Sequence, residues 1–310
     1  MVEPRALESV GSIILATFSH AAIWAGMYVI AAVVCLAQVA GVDELISPGV
    51  KVAVTAFVFC TATGVYLLDR VKLRDVWLDP ADALAHPRRY AFIAGHAMLI
   101  RGVMLLLLLA AAGLGEAVLE WGALVPLIAA TGVVVYAGRP RATRPRPKDI
   151  MLLKNIYVAA GITGFAEIVA SAAVRPGADL TTMRRVLIAH AVPLVCSCAL
   201  LGVRVLADAV LCDLDDEDAD RRFGTATLPI HLGRNRAWKL ALGIRLGAAA
   251  ALVTIGALPL LPRLAWAGVT VVSSITLRVA RPARLRDWVD ARFAMEAAVV
   301  WGILCLARSV

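Results

Sequence analysis

The sequence predicts an all-α fold, a polytopic transmembrane helical bundle of about nine spans, and three observations carry that expectation. Of 310 residues, 61% are hydrophobic and only 17% are charged, with a mean hydropathy of +0.81. A soluble domain of this length needs more polar surface. Apolar runs long enough to cross ~30 Å of hydrocarbon recur along the whole chain, and the connections between them alternate sharply in charge. No charged n-region, apolar h-region and small-residue cleavage site precede the first run, so it is expected to act as both anchor and targeting signal.

Spans are expected at about 20–40, 49–68, 90–112, 117–136, 151–172, 185–208, 237–258, 263–279 and 290–308, and residues 7–20 also read as helix. One set of connections holds Arg70, Lys72, Arg74, Arg88 and Arg89, then Arg139, Arg141, Arg144, Arg146 and Lys148. It continues with Arg221, Arg222, Arg234 and Arg236, and ends with Arg281, Arg284 and Arg286. The opposite set, including Gly41–Pro48 and Leu114–Glu116, has no Lys or Arg there, with Arg175 and Arg184 as exceptions. Excess Lys and Arg mark the cytoplasmic side. The N-terminus and basic loops are therefore expected in the cytoplasm, and the C-terminus outside. That distribution accounts for the +8 net charge through the lipid bilayer and anionic ligands, with no nucleic-acid partner.

The six cysteines (Cys35, Cys60, Cys196, Cys198, Cys212 and Cys305) lie mostly in apolar runs and read as small buried hydrophobes. Neither a disulfide framework nor a cysteine metal site is expected. Among charges inside the spans, Arg204 and Asp208 stand i, i+4 and are expected to pair. Glu167 and Arg245 lie deeper, as structural charges or cavity lining, and His96 and Arg101 are expected at the interface or facing the bundle.

The polar chemistry is concentrated in two acidic segments. The connection after the sixth span runs CDLDDEDADRRFGTATLPIHLG, Cys212 to Gly233. Asp213, Asp216 and Asp220 are spaced three and four apart, so a helix continuing from the sixth span presents all three carboxylates on one face. Such a face calls for a cation, and Mg²⁺ takes oxygen ligands and bridges to phosphates. A solvated acidic loop is the plainer reading. A calcium loop starting at Asp216 fits poorly, with Arg221 where glycine is needed and Thr227 where the bidentate Glu belongs. A CDP-alcohol phosphotransferase also uses Asp pairs in the membrane, but the glycine expected after the first pair is missing. The connection after the second span runs LLDRVKLRDVWLDPADALAHPRR, Leu67 to Arg89. Its Asp75 and Asp79 align with Asp216 and Asp220, 141 residues on, and each segment soon reaches a proline, Pro87 or Pro229. The pattern is that of a weak internal repeat. It divides one transmembrane domain, 1–310, into two pseudo-repeated halves with acidic loops near 69–89 and 212–233.

At this point the sequence resembles the UbiA superfamily of intramembrane prenyltransferases, whose pattern is roughly N-D-x-x-D-x-x-x-D-x-x-x-G-x-x-T-L-P-x-x-x-G. Asp213, Asp216, Asp220, Gly224, Thr227-Leu228-Pro229 and Gly233 stand in register, and only the leading Asn is replaced, by Cys212. The first segment departs from the pattern. Val71 and Lys72 stand where an Asn and an Asp belong, ahead of Asp75 and Asp79; Asp69 either compensates or is the true ligand with Asp75 idle. The resemblance implies a prenyl diphosphate substrate, Mg²⁺ held by Asp69, Asp75, Asp79, Asp213, Asp216 and Asp220, and catalysis resting on Asp75, Asp79, Asp216 and Asp220. It also implies diphosphate binding by Lys72, Arg74, Tyr136, Lys148, Lys154 and Asn155. Ionising an allylic carbon–oxygen bond releases a leaving group of about three negative charges, which metal ions and basic side chains neutralise. Transfer to a hydrophobic acceptor is the expected reaction. A terpene cyclase needs no acceptor and suits the scarcity of polar groups within the spans. A transporter or non-catalytic scaffold is a third reading, though its charges belong at the midplane rather than at one membrane face.

Overall fold

The computed structural model describes residues 18–119, 122–139, 146–174, 180–280 and 285–309. Arg141, Arg144, Arg175, Arg281, Arg284 and the helix expected over 7–20 up to residue 17 lie outside them. The described residues form fourteen α-helices. Nine correspond to the expected spans: α1 (Ile23–Val39), α2 (Pro48–Val71), α5 (Ala97–Val118), α6 (Leu124–Ala137), α7 (Leu153–Ala173), α9 (Ala191–Asp213), α12 (Arg234–Thr254), α13 (Leu260–Ala280) and α14 (Leu285–Arg308). Short helices fill the connections: α3 (Pro80–Ala85), α4 (Pro87–Gly95), α8 (Leu180–Ala189), α10 (Glu217–Phe223) and α11 (Leu228–Leu232).

Six of the helices, α2, α5, α7, α9, α12 and α13, are long and apolar enough to cross a membrane. The chain is an integral membrane protein. The expected third and sixth spans begin as separate short helices, because the chain breaks at His96 between α4 and α5 and at His190 between α8 and α9.

Helix α1 is short but central, buried along most of its length and packed against α2, α7, α9, α13 and α14. Helix α5 packs closely on α2 and turns Met98, Leu99, Leu106 and Leu109 outward, as a lipid-facing helix does.

Helix α14 carries Arg292 and Glu296 on its inner side, both buried. They close a network across α1, α9, α12, α13 and α14. Arg204 on α9 pairs with Glu296 and donates to Thr270 Oγ1 at 2.9 Å. Asp208 pairs with Arg245 and with Arg292, at 3.1 Å, and accepts from the Tyr28 hydroxyl at 3.0 Å. Arg245 also donates to Ser274 Oγ at 3.0 Å and to Glu296 Oε1 at 3.2 Å. The i, i+4 pair expected of Arg204 and Asp208 thus gives way to bonds between helices. The reason is geometric: partners on other helices satisfy several guanidinium N–H groups, where one carboxylate on the same helix satisfies two at most.

Candidate active site

The second acidic segment is punctuated by its own residues. Helix α9 ends at Asp213, and α10 begins after Asp216 as its N-cap. The continuous helix expected here is broken, since carboxylates at i, i+3 and i+4 repel one another. Acids in the first turn of a new helix instead face its positive end; here they are Glu217, Asp218 and Asp220. Gly224 ends α10 at φ 68° and Gly233 ends α11 at φ 79°, left-handed conformations that favour glycine. Thr227 is the extended N-cap of α11, and Pro229 lies in its first turn, where the missing N–H costs nothing. The Gly, Thr, Pro and Gly of the motif are therefore the stops and starts of two short helices.

The first segment folds differently. Lys72 ends α2 at φ 54°, and the chain turns outward. Arg101 on α5 holds that turn, donating to the carbonyls of Lys72 (3.0 Å) and Val71 (3.3 Å) and meeting Asp75 Oδ1 at 2.6 Å. Asp79 caps α3 by accepting from the Ala81 N–H at 3.1 Å. Helices α3 and α10, one from each segment, pack together, and His86 Nε2 meets Asp216 Oδ1 at 2.9 Å.

Beneath these loops lies a cavity of about 660 Å³. Its polar end is lined by Asp69, Asp79, Lys148, Lys154, Asp213, Asp216, Asp220 and Arg286. Its apolar end runs between α2, α6 and α7, past Thr61, Val65, Val133 and Ile162 to Val125, Phe165 and Ile168. Tyr136 lies on the wall, stacked on Tyr157 with ring centroids 4.8 Å apart.

The carboxylates of the two acidic motifs that line this end each meet a cation. Lys154 Nζ stands 2.6 Å from Asp213 Oδ1 and 4.0 Å from Asp220 Oδ2. Asn155 donates to Asp213 Oδ2 at 3.0 Å. Arg286, from the start of α14, reaches Asp216 Oδ2 at 2.5 Å, and its backbone N–H donates to Asp215 Oδ2 at 2.8 Å. Asp79 Oδ2 meets Arg146 Nη2 at 2.7 Å and Lys148 Nζ at 3.0 Å. Lys72 Nζ meets Asp69 Oδ1 at 2.6 Å.

These contacts set the protonation of the loop carboxyls. Burial pushes the Asp220 carboxyl up to about 6, against Lys154 and with the neighbouring Asp216 and Asp213. Burial also opposes ionisation of Asp216 and Asp79. Arg286, the His86 bond and Lys154 nonetheless hold Asp216 well below the usual carboxylate range, and Lys148 and Arg146 hold Asp79 below it.

Of the residues singled out in the sequence, Asp69, Asp79, Asp213, Asp216, Asp220, Tyr136, Lys148 and Lys154 line this cavity. Asn155 and Lys72 are buried against its carboxylates. Asp75 and Arg74 are not brought in: Asp75 is exposed on Arg101, and the exposed Arg74 lies over the Trp77 ring at 5.6 Å. The left-handed turn at Lys72 directs both outward. Arg286, His86 and Arg146 were not singled out as site residues. The acids of the two motifs that they meet lie 70, 130 and 67 residues away, although Arg146 also meets Asp149 three residues on, and Arg286 in the sequence is one of many basic loop residues.

The fold so assembled is that of the intramembrane UbiA bundle. A UbiA homologue from Archaeoglobus fulgidus, solved bound to GPP and Mg²⁺, superposes with a TM-score of 0.60 at 14% identity, covering 96% of this chain and 98% of that one. A UbiA homologue from Archaeoglobus fulgidus solved bound to DMAPP and Mg²⁺ gives 0.58 at 13%, covering 94% of this chain and 97% of that one. No family model matches the chain, and no curated protein matches it in sequence.

At the polar end most of the motif carboxylate oxygens already meet a protein partner. Asp220 is buried, and its Oδ2 accepts no hydrogen bond. With Asp213 and Asp216 it offers hard oxygen donors suited to Mg²⁺. Among the described residues no group of three or more His, Cys, Asp or Glu side chains is placed to hold a metal ion by itself. On the other side Asp79 is engaged at both oxygens, Oδ1 by a backbone N–H and Oδ2 by two cations, as Asp213 is by Lys154 and Asn155 and Asp216 by His86 and Arg286.

Proposed function

We propose that this protein is a Mg²⁺-dependent intramembrane prenyltransferase, which ionises a prenyl diphosphate and transfers the prenyl group to a hydrophobic acceptor. The observation that carries this reading is a single cavity with a charged end under the loops and an apolar end between membrane helices. A prenyl diphosphate has that same division. The likeness of fold to a homologue solved with GPP and Mg²⁺ supports it.

In this reading Asp213, Asp216 and Asp220 hold the ion, which when bound acts as a Lewis acid on the diphosphate oxygens. Lys148 and Lys154 bind phosphate oxygens, and Asn155 orients Asp213. The allylic carbon–oxygen bond breaks, and diphosphate departs with the electron pair. The acceptor's nucleophile then bonds to the allylic carbon and loses a proton. The apolar walls exclude water, which would otherwise capture the cation. The stacked tyrosines Tyr136 and Tyr157 present aromatic surface near the charged end, where a carbocation is stabilised by ring electrons. We place the loops and the N-terminus on the cytoplasmic side by their excess of Lys and Arg, and we read the chain as one domain of two pseudo-repeated halves.

The test uses purified protein in nanodiscs with Mg²⁺ and prenyl diphosphates of increasing length, following diphosphate release with and without lipid or aromatic acceptors. Release that requires both Mg²⁺ and an acceptor is expected. Acceptor-free release yielding a cyclic product would overturn the transfer reaction, and the absence of prenyl diphosphate binding would overturn the substrate class.

A further inference from the structure

The cavity has a wall that neither the acidic loops nor the apolar helices α6 and α7 supply. Helix α14, packed on α1 and α9, brings Asp290 to it, with Tyr66 of α2 and Cys212 of α9. Asp290 lies four residues after Arg286, about 6 Å further along its helix. Tyr66 lies four residues before Arg70 on α2, which runs towards the loops, so both groups stand about one turn inward of the charged end. An ionisable side chain inside a bundle is normally paired. Asp290 is not: among the described residues its carboxylate makes no ion pair and no hydrogen bond, and the Tyr66 hydroxyl makes no hydrogen bond. The charges nearest Asp290 are those of Arg286, Arg70, Asp287 and Asp208, and each is committed elsewhere. Arg286 meets Asp216 Oδ2 at 2.5 Å, and Arg70 donates to the Ser19 carbonyl. Asp287 accepts from the Ser19 hydroxyl at 2.6 Å, and Asp208 belongs to the buried network of Arg245 and Arg292.

We propose that this wall is the acceptor subsite, that the acceptor is an amphiphile bearing a hydroxyl group, and that Asp290 takes the hydroxyl proton. The inference rests on the prenyl diphosphate reading above. An unbonded carboxylate accepts a hydrogen bond, and the Tyr66 hydroxyl donates one. A hydroxyl group satisfies both, being donor and acceptor at once, whereas a hydrocarbon leaves both unmet. In the reaction the bond from the allylic carbon to the diphosphate oxygen breaks, and diphosphate leaves with the electron pair. A lone pair of the acceptor oxygen forms the new bond to that carbon, and the hydroxyl proton passes to the Asp290 carboxylate as general base. The product is a prenyl ether, and Asp290 returns its proton to solvent through the charged end. The prenyl chain lies between α2, α6 and α7, so the two substrates reach the allylic carbon from different walls.

The experiment uses the full chain in nanodiscs with Mg²⁺ and a prenyl S-thiolodiphosphate, in which the bridging sulfur suppresses ionisation. Two probes are compared, para-hexylphenol and para-hexylanisole, which differ only in a hydroxyl against a methyl ether. The unsubstituted chain loaded with thiolodiphosphate is expected to bind the phenol about tenfold more tightly than the ether, the worth of one hydrogen bond to a charged group. Equal binding of the two probes, or binding of neither, would overturn the hydroxyl class and leave the prenyl diphosphate reading intact. Turnover is then measured with the prenyl diphosphate itself. Asp290→Asn is expected to bind the thiolodiphosphate as the parent does and to lose about 10²-fold or more in prenyl transfer to the phenol. With a nitro-substituted hexylphenol, whose more acidic proton leaves without a base, the loss is expected to shrink to about tenfold or less. Equal losses with both phenols would mean that Asp290 is structural and would overturn its role as base. Failure of the unsubstituted chain to bind the thiolodiphosphate would overturn the proposed function and this inference together. The comparison of phenol with ether on the unsubstituted chain stands even where the variant does not fold.

Discussion

Asp216 and Asp75 align in the two acidic segments, and their surroundings assign them opposite weights. Asp216 lies at the cavity between Arg286 and His86, so in the proposed function replacing it strips a carboxylate from where metal and diphosphate would meet. Asp75 has a side chain 72% exposed and meets Arg101 at the surface, a pairing of the kind worth roughly 0–1 kcal/mol. Asp216→Asn is expected to lower the rate of prenyl diphosphate turnover by about 10²-fold, near 2.7 kcal/mol of transition-state stabilisation. Asp75→Asn is expected to change it by less than about threefold. Both are read as kcat/KM for diphosphate release at saturating Mg²⁺, and equal losses in the two variants would remove the distinction drawn between the segments.

At the scale of elements, the short helices carry the site and the long ones set its depth. Gly224 ends α10 at φ 68°, and nothing lies within 4 Å of a β-carbon built there. Its replacement therefore acts through backbone strain alone. Gly224→Ala is expected to cost about 1–2 kcal/mol, and Gly224→Asn less, because asparagine tolerates the left-handed region; thermal unfolding in detergent tests the order. Along α7 the cavity runs from Lys154 to Ile168, about 21 Å at 1.5 Å per residue. An extended isoprene unit spans four carbon–carbon bonds, or roughly 5 Å at about 1.5 Å per bond. With one such length given to the diphosphate, about three units remain. Phe165, packed on the Phe57 ring at 6.0 Å, stands at the apolar end. Phe165→Ala is expected to shift the preferred diphosphate to a longer chain by about one unit, measured as the ratio of kcat/KM across a chain-length series. An unchanged ratio would place the limit elsewhere.

At the scale of the molecule, the buried network joins five helices behind the cavity wall. Arg245 is fully buried and engages Asp208, Glu296, Ser273 and Ser274. Removing its guanidinium takes one partner from each of the two buried carboxylates, which Arg204 and Arg292 still meet, and takes the donors from Ser273 and Ser274. Arg245→Met is expected to destabilise by about 1–3 kcal/mol, seen as an earlier thermal transition in detergent. Arg245→Lys is expected to recover part of the loss, since it restores the charge but not the branched set of donors. If Met and Lys destabilise equally, the guanidinium geometry rather than its charge holds these helices together.

The spans were legible because hydrocarbon demands long apolar segments and leaves that demand in the composition of each. Helix α14 was harder to read, for its Arg292 and Glu296 make sense only against Arg204, Asp208 and Arg245 on other helices. Asp213, Asp216 and Asp220 were legible as a group by their spacing, and Gly224, Pro229 and Gly233 by the backbone that each permits. By itself, then, the sequence determined the membrane class, the nine helices and the acidic loops, because each is written in neighbouring residues. Only the tertiary structure decided which carboxylates share a cavity, that Lys72 turns Asp75 away, and that Arg286 and Arg146 reach acids 70 and 67 residues distant. Charge balance in a buried site is a sum over several segments, and no one segment of the chain contains it.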